Sequence, residues 1–401
     1  MRRVFRSLFT FRELTAVERR LVVLLWVMGV LQGVAQSPLS ALVPFTRAGL
    51  GLSQGEMSLV LAVTRLASLG AVGFSWWGDR TGRRRPFLAA FLAMTGASVL
   101  TALSPGAAWF TAAQGLSRIA TTAVGTLAVV LLAERVRPAH RAFSIGLYAA
   151  AASLGAGIGQ LMVPIAAISP EAWRYAFALP ALGLLAFPVL RKVEESPLVD
   201  DSPASVPIRA LLFGSLRRSF WVSGLAGLLA SAFPAVALAF TTERLINDLG
   251  YTAGTATIIA LTGGTVGAMG FWIGGRMADV WGRKFTTVLS LLLSTAGGVL
   301  LFQVESVPAL LVAIVIGGFG SFAYVPAASS HRAELFPTEI RATAGTAGAY
   351  LATVGSAAGL GVGALLIDRI GLTDTLLVLA APMLLASLLT LILPETKGRS
   401  L

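Results

Sequence analysis

Cysteine is absent from all 401 residues, so this chain has no disulfide framework, no thiolate metal site and no thiol nucleophile. Histidine is nearly absent too: His140 and His331 stand far apart, which argues against a multi-histidine metal centre. Charge is scarce, at 12% of residues against 56% hydrophobic. The mean hydropathy of +0.79 lies outside the range of a water-soluble domain. These absences lead to an all-α membrane protein that needs no metal or other cofactor. An enzyme is disfavoured, since no nucleophile–base pair stands out. The net charge of +12 does not point to nucleic acid, because the basic residues fall in short clusters between apolar runs.

A spanning helix needs about 20 mainly apolar residues, each rising ~1.5 Å. Twelve segments qualify: 20–44, 56–77, 86–104, 108–133, 141–167, 171–190, 219–241, 253–276, 285–303, 307–331, 342–367 and 373–393. The arginine-rich start before Leu21–Leu31 and "GVAQS" has the look of a secretory signal, but the repeat described next requires it as a retained first span. One connection is long: 191–218, with Glu194, Glu195, Asp200, Asp201, Pro197, Pro203 and Pro207, reads as a cytoplasmic hinge. The expected domains are therefore a six-helix bundle over 1–190, the linker 191–218 and a second bundle over 219–401. Most of the 31 Lys and Arg residues lie before the first span, in the linker and in alternate loops. The opposite loops carry only Arg47, Arg174, Arg244 and Arg369, so both termini are expected in the cytoplasm and the protein in a plasma membrane.

The second half repeats the first at an offset of 200 residues. Gly70, Asp79, Gly82, Arg83, Glu134, Arg141 and Glu195 meet Gly270, Asp279, Gly282, Arg283, Glu334, Arg341 and Glu395. Shared glycines would be cheap in such apolar halves, but five coincident charges are not. Two related bundles are the parallel-repeat plan of a large transporter class.

The repeated charges are the first candidate device. "GDRTGRRR" (78–85) sets Asp79 at the inner membrane edge, where a carboxylate needs a cation, and returns Arg83 after a reversal that Gly78 and Gly82 permit. "MADVWGRK" (277–284) does the same with Asp279 and Arg283. Glu134 and Arg141 in "LAERVRPAHRA", and Glu334 and Arg341 in "RAELFPTEIRATA", are expected to join this network. The whole set reads as a latch at the inner gate, since alternating access requires bistable elements. Arg84 and Arg85 read as setting topology only.

Polar side chains within spans are expensive and usually face an interior cavity. Gln32, Gln36 and Ser40 form one stripe on helix 1; Gln114, Arg118, Thr122 and Thr126 form another on helix 4; helix 2 adds Arg65 and Ser68. Arg65 is 14 residues from Asp79, roughly 21 Å along a helix; Arg118 is 16 from Glu134 and Gln36 is 16 from Arg20, roughly 24 Å each. Two guanidinium groups at one depth, with no acid there, favour an anionic ligand. The alternative is that Arg118 bonds backbone carbonyls or the helix 1 glutamines while Arg65 snorkels outward. The second half offers neutral groups: Ser223, Ser231, Thr262, Thr265, Ser321, Ser329, Thr346 and Thr353, with Tyr324 and Tyr350 either bonding a ligand or packing between helices. Gly155/Gly159 and Gly355/Gly359 are small-xxx-small patterns that suit close helix packing.

The chain resembles the major facilitator superfamily of transporters. "GDRTGRRR" is similar to the family's signature between helices 2 and 3. "AELFPTEIRATA", "RVRPAHRA", "VEESP" and "PETKG" resemble loops of its sugar-porter and organic-acid branches. The resemblance implies a central cavity lined by helices 1, 4, 7 and 10, with 3, 6, 9 and 12 outside. A monomer is expected, with the lipid bilayer and a small-molecule substrate as partners, no nucleic acid, and a coupling ion left open. One departure stands out: "LQGVAQSPLSALVP" (31–44) has Gln32 or Gln36 where proton-coupled relatives carry an aspartate, so Arg118, which matches the arginine paired with it, lacks that partner. Either the protein is not a proton symporter, or coupling uses another group, such as Glu134, Glu243 or His331. The expected function is secondary transport of a small organic solute by alternating access, with an organic anion as first choice and export of amphipathic compounds as the alternative. A non-transporting membrane sensor ranks below both.

Overall fold

Prolines break the first and sixth spans. The computed structural model describes residues 14–397 except 192, 194, 196–213 and 215. Most of the 191–218 linker and the arginines before Leu14 lie outside the described residues. Every regular element among the described residues is helical, and twelve are long and apolar enough to cross a membrane. They are α1 (Ala16–Ala41), α2 (Gln54–Thr81), α3 (Arg84–Ala102), α4 (Ala107–Arg135), α5 (Phe143–Ala166), α6 (Trp173–Leu190), α7 (Arg217–Asp248), α8 (Ala253–Trp281), α9 (Arg283–Gln303), α10 (Val307–Leu335), α11 (Thr343–Ile370) and α12 (Leu372–Ile392).

Thr15 starts α1 with a reciprocal cap: its Oγ1 accepts the Glu18 N–H at 3.2 Å while Glu18 Oε2 accepts the Thr15 N–H at 2.8 Å. The expectation of one continuous first helix to residue 44 needs correction. Pro38 has no N–H to offer, so the helix stops at Gln36, resumes as Pro38–Ala41 and is followed by a separate helix, Val43–Leu50. The sixth span departs further. Pro180 and Pro188 leave α-helix only at Trp173–Ala178 and Phe187–Leu190, joined by a 3-10 stretch, Leu179–Ala186. A 3-10 turn at Ser68–Ala71 interrupts α2, and α7 ends in a π turn, Arg244–Asp248.

The chain forms two compact units, Met1–Phe45 with Ala67–Asp201 and Thr46–Leu66 with Ser202–Leu401. Residues 46–66, which stand in the first half of the sequence, are thus part of the second unit. Among apolar spans no water drives helices together, so close backbone packing supplies much of the cohesion. In the first unit α1 crosses α5 where Gly155 lies against the Val30 carbonyl, and a Cβ there has no room. Gly355 of α11 meets the Leu228 carbonyl of α7 in the same way in the second unit. Leu25, Met28, Phe87, Phe91, Val124 and Leu131 fill the first unit's interior.

Candidate functional site

In the first unit the interior polar groups divide into those tied to the protein and those left accessible. Gln32 is tied at both ends: its Nε2 donates to the Thr121 carbonyl at 3.0 Å and its Oε1 accepts from the Tyr148 hydroxyl. It lies over Gly125 of α4, which leaves it space no larger residue would. Gln32 therefore bolts α1 to α4 and α5. Gln114 departs from the expected stripe. It is buried, and its Nε2 donates to Thr101 Oγ1 of α3 at 3.1 Å, so it faces a neighbouring helix. The break at Ser37 interrupts the Gln32–Gln36–Ser40 stripe, and Ser37 Oγ donates to the Ala156 carbonyl at 2.8 Å.

Gln36 ends exposed, Thr122 is half-buried, and Thr126 is exposed with its hydroxyl turned back to the Thr122 carbonyl at 3.0 Å. Arg118 is 7% exposed, a charged side chain almost wholly inside this unit. Acidic residues are missing from α1 beyond Glu18, from α5 altogether and from α4 before Glu134, so the middle of this unit is net positive. Tyr148 escaped the sequence reading. The available signal was its spacing of seven from Gly155, which places both on the α5 face that meets α1.

The second unit holds Arg65, in the last turn of Gln54–Ala67, together with Tyr324 and Tyr350. Arg65 and Tyr324 are half-buried, and Tyr350 is 38% exposed. The hydroxyls here mostly bond their own helices: Thr262 to the Ile258 carbonyl, Thr265 to the Leu261 carbonyl and Thr353 to the Ala349 carbonyl. Ser231 also reaches the Ala352 carbonyl at 2.7 Å, and Ser321 meets Ser294 at 2.7 Å.

The repeated charges assemble into two matching clusters, one in each unit. Arg83 pairs with Asp79 and, through Nε, with Glu134 Oε1 at 3.3 Å. Arg283 pairs with Asp279 at 2.6 Å and donates from Nε and NH2 to Glu334 Oε1 at 3.1 and 3.0 Å. Burial alone would lower the Arg83 pKa; hydrogen bonding to Asp79 and the charges of Glu134 and Asp79 outweigh it, and the net shift is upward. A third carboxylate completes each cluster. Glu195 accepts the Arg84 N–H at 2.9 Å at the start of α3; Glu395 accepts the Arg283 and Lys284 N–H groups at 2.9 and 3.1 Å at the start of α9. Both sit where a helix N-terminus favours negative charge. Burial pushes the Glu395 carboxyl up, but four backbone N–H groups, of Lys397, Arg283, Thr396 and Lys284, together hold it below the usual carboxylate range.

The glycines of the signature now have a reason. Gly82 and Gly282 have φ of 93° and 108°, and a Cβ on either would lie 2.6 or 2.7 Å from the Glu195 or Glu395 carboxylate. Arg141 and Arg341 are less engaged: each has a buried Nε without a hydrogen-bond partner, and Arg341 NH2 reaches only the Phe336 carbonyl at 3.5 Å. An unforeseen pair lies nearby, with Arg137 Nε and NH2 both donating to the Glu18 carboxylate at 3.0 Å.

A family model described as Major Facilitator Superfamily matches residues 25–276 and 244–400. The chain belongs to the major facilitator superfamily. Among curated proteins it is similar to a probable 4-methylmuconolactone transporter of Cupriavidus pinatubonensis, 26% identical over 377 residues that cover 90% of this chain and 86% of the relative. Among solved structures it resembles a D-xylose–proton symporter, with a TM-score of 0.75, 18% identity and coverage of 95% of this chain and 99% of that one. It likewise resembles a bacterial homologue of the human lysosomal transporter Spinster, in an inward-facing and occupied conformation, with a TM-score of 0.76, 16% identity and coverage of 94% and 97%. This member of the superfamily is a multi-pass membrane transporter of small solutes that works by alternating access.

Proposed function

We propose that this transporter carries a small organic anion across a plasma membrane, without altering it, and that both termini lie in the cytoplasm. The observation that carries the reading is Arg118, 7% exposed in the net positive middle of the first unit. A guanidinium so placed binds a carboxylate through a planar pair of N–H donors, at a strength that surface arginines in water do not reach. Gln36 and Thr122 of the same unit offer further hydrogen bonds. Gln32 and Gln114 act by holding α1, α4 and α3 in place. The similar protein named for 4-methylmuconolactone transport supports an organic solute. The basic loops support the orientation.

The clusters Asp79–Arg83–Glu134 and Asp279–Arg283–Glu334 serve as the inner gate's latch. The test is uptake of a carboxylate panel into proteoliposomes. Arg118→Ala is expected to lower anion uptake about 100-fold, the equivalent of ~2.7 kcal/mol, with Arg118→Lys between. Uptake at the wild-type rate in Arg118→Ala would sink the anion site.

A further inference from the structure

Arg332 of α10 carries a charge that the second cluster does not use. Its neighbours are committed elsewhere. Glu334 accepts Arg283 NH2 at 3.0 Å and Thr396 Oγ1 at 2.6 Å, and His331 Nε2 meets the Pro394 carbonyl at 2.9 Å. Two residues along a helix make more than half a turn, so Arg332 leaves α10 on roughly the opposite side from Glu334. It is half-buried, and its Nε donates to the Ala328 carbonyl at 3.3 Å. Among the described residues no carboxylate pairs with Arg332, NH1 and NH2 donate no hydrogen bond, and neither nitrogen is sealed in.

Glycines make the seat for this guanidinium. A Cβ on Gly348 of α11 would lie 3.0 Å from Arg332 NH1, and one on Gly227 of α7 would lie 3.6 Å from it. The internal repeat shows that the seat belongs to the second unit alone. At an offset of 200 residues, Leu132 stands opposite Arg332, Tyr148 opposite Gly348 and Val27 opposite Gly227. In the first unit Leu132 and Tyr148 are buried members of one apolar core. The second unit has lost two bulky side chains at these places and gained a cation. Two of the three differences clear space beside the third, and the fold does not require the result, because the first unit is built without it.

An arginine that serves packing usually ends with its donors paired. Here a planar pair of N–H donors stays open, partly withdrawn from water, with no opposite charge against it. A carboxylate fits that vacancy in charge and in shape, since its two oxygens accept two parallel N–H bonds. Arg332 is three residues from Leu335, where α10 ends, roughly 4.5 Å by helical rise. It therefore stands at the same end of α10 as Glu334 and the charged cluster.

We propose that Arg332 is a carboxylate-binding subsite of the second unit, which holds an organic anion beside the Asp279–Arg283–Glu334 cluster. The proposal rests on the organic-anion reading above for its class of ligand and adds a residue that Arg118 does not replace.

The test reads Arg332 itself. Phenylglyoxal, which attacks guanidinium groups, is applied to the full chain in lipid nanodiscs, and modification of the Arg332 peptide is timed by mass spectrometry. Acetate, benzoate and succinate are the probes, each compared with chloride at equal ionic strength, with neutral benzamide as control. At least one carboxylate should slow modification of Arg332 about tenfold when present at about ten times its Kd, and benzamide should not. Arg369, exposed on α11, should react at one rate throughout. Protection of Arg332 should persist in Arg118→Ala and in Arg118→Lys. Equal rates in chloride and in all three carboxylates would overturn the proposal, as would equal protection of Arg369. Protection that vanishes in both Arg118 variants would also overturn it, because Arg332 would then only report occupancy of the other arginine. No transport enters this readout, so its failure is distinct from failure of the Arg118 uptake test.

Discussion

Arg83 and Arg283 make the same contacts two hundred residues apart, whereas Arg118 stands opposite Gly318 in that alignment, Gln32 opposite Ala232 and Tyr148 opposite Gly348. The two charged clusters are copies. The polar middle of the first unit is not. The repeated charges hold the same helix ends in both units, while the interior polar groups of the first unit have no counterpart in the second. The Glu18–Arg137 pair also belongs to one half alone, since Arg218 and Pro337 occupy the matching positions.

That comparison can be broken by matched substitutions. Gly82→Ala and Gly282→Ala should be the most damaging and equally so, about 3 kcal/mol each, since both force a Cβ into a region of φ that side chains avoid and against a carboxylate. Thermal unfolding in detergent measures it. One tolerated variant would show that the two clusters are not equivalent. Arg83→Ala and Arg283→Ala should rank next and unequally. Arg283 and Glu334 are 15% and 11% exposed, against 21% and 22% for Arg83 and Glu134, so the second loss is expected near 2 kcal/mol and the first near 1 kcal/mol. The reverse order would mean that burial does not set the strength of these pairs.

The smallest effect concerns acid. Glu395 has its folded pKa depressed, so the stability it contributes is present above its unfolded value, about 4.3, and is lost as pH falls through the lower folded value. Glu395→Gln should remove that acid sensitivity, read as a flatter unfolding temperature below about pH 4.5. An unchanged acid profile would assign the sensitivity to other carboxylates.

What was legible in the sequence follows the same divide. Repetition exposed the paired charges, and hydropathy placed all twelve spans, because apolar length is a property of one segment read alone. The breaks after Gln36 and within α6 also have local causes in proline, though a count of apolar residues passes over them. Gln32–Tyr148 and Arg137–Glu18 were hidden for a different reason. Their partners lie 116 and 119 residues apart, in contacts that have no second copy to betray them. Gln114 misled because four-residue spacing gives a common face without saying which neighbour that face meets, and for Gln114 it is Thr101.

The bond from Ser58 to the Leu360 carbonyl spans 302 positions of chain, and Arg47 waits 196 positions for Glu243. A ribosome completes the first six spans long before either acceptor exists. Residues 46–66 must therefore enter the bilayer with their polar groups satisfied by temporary companions and exchange them once α7 and α11 arrive, so helices made later finish the assembly of one of the first.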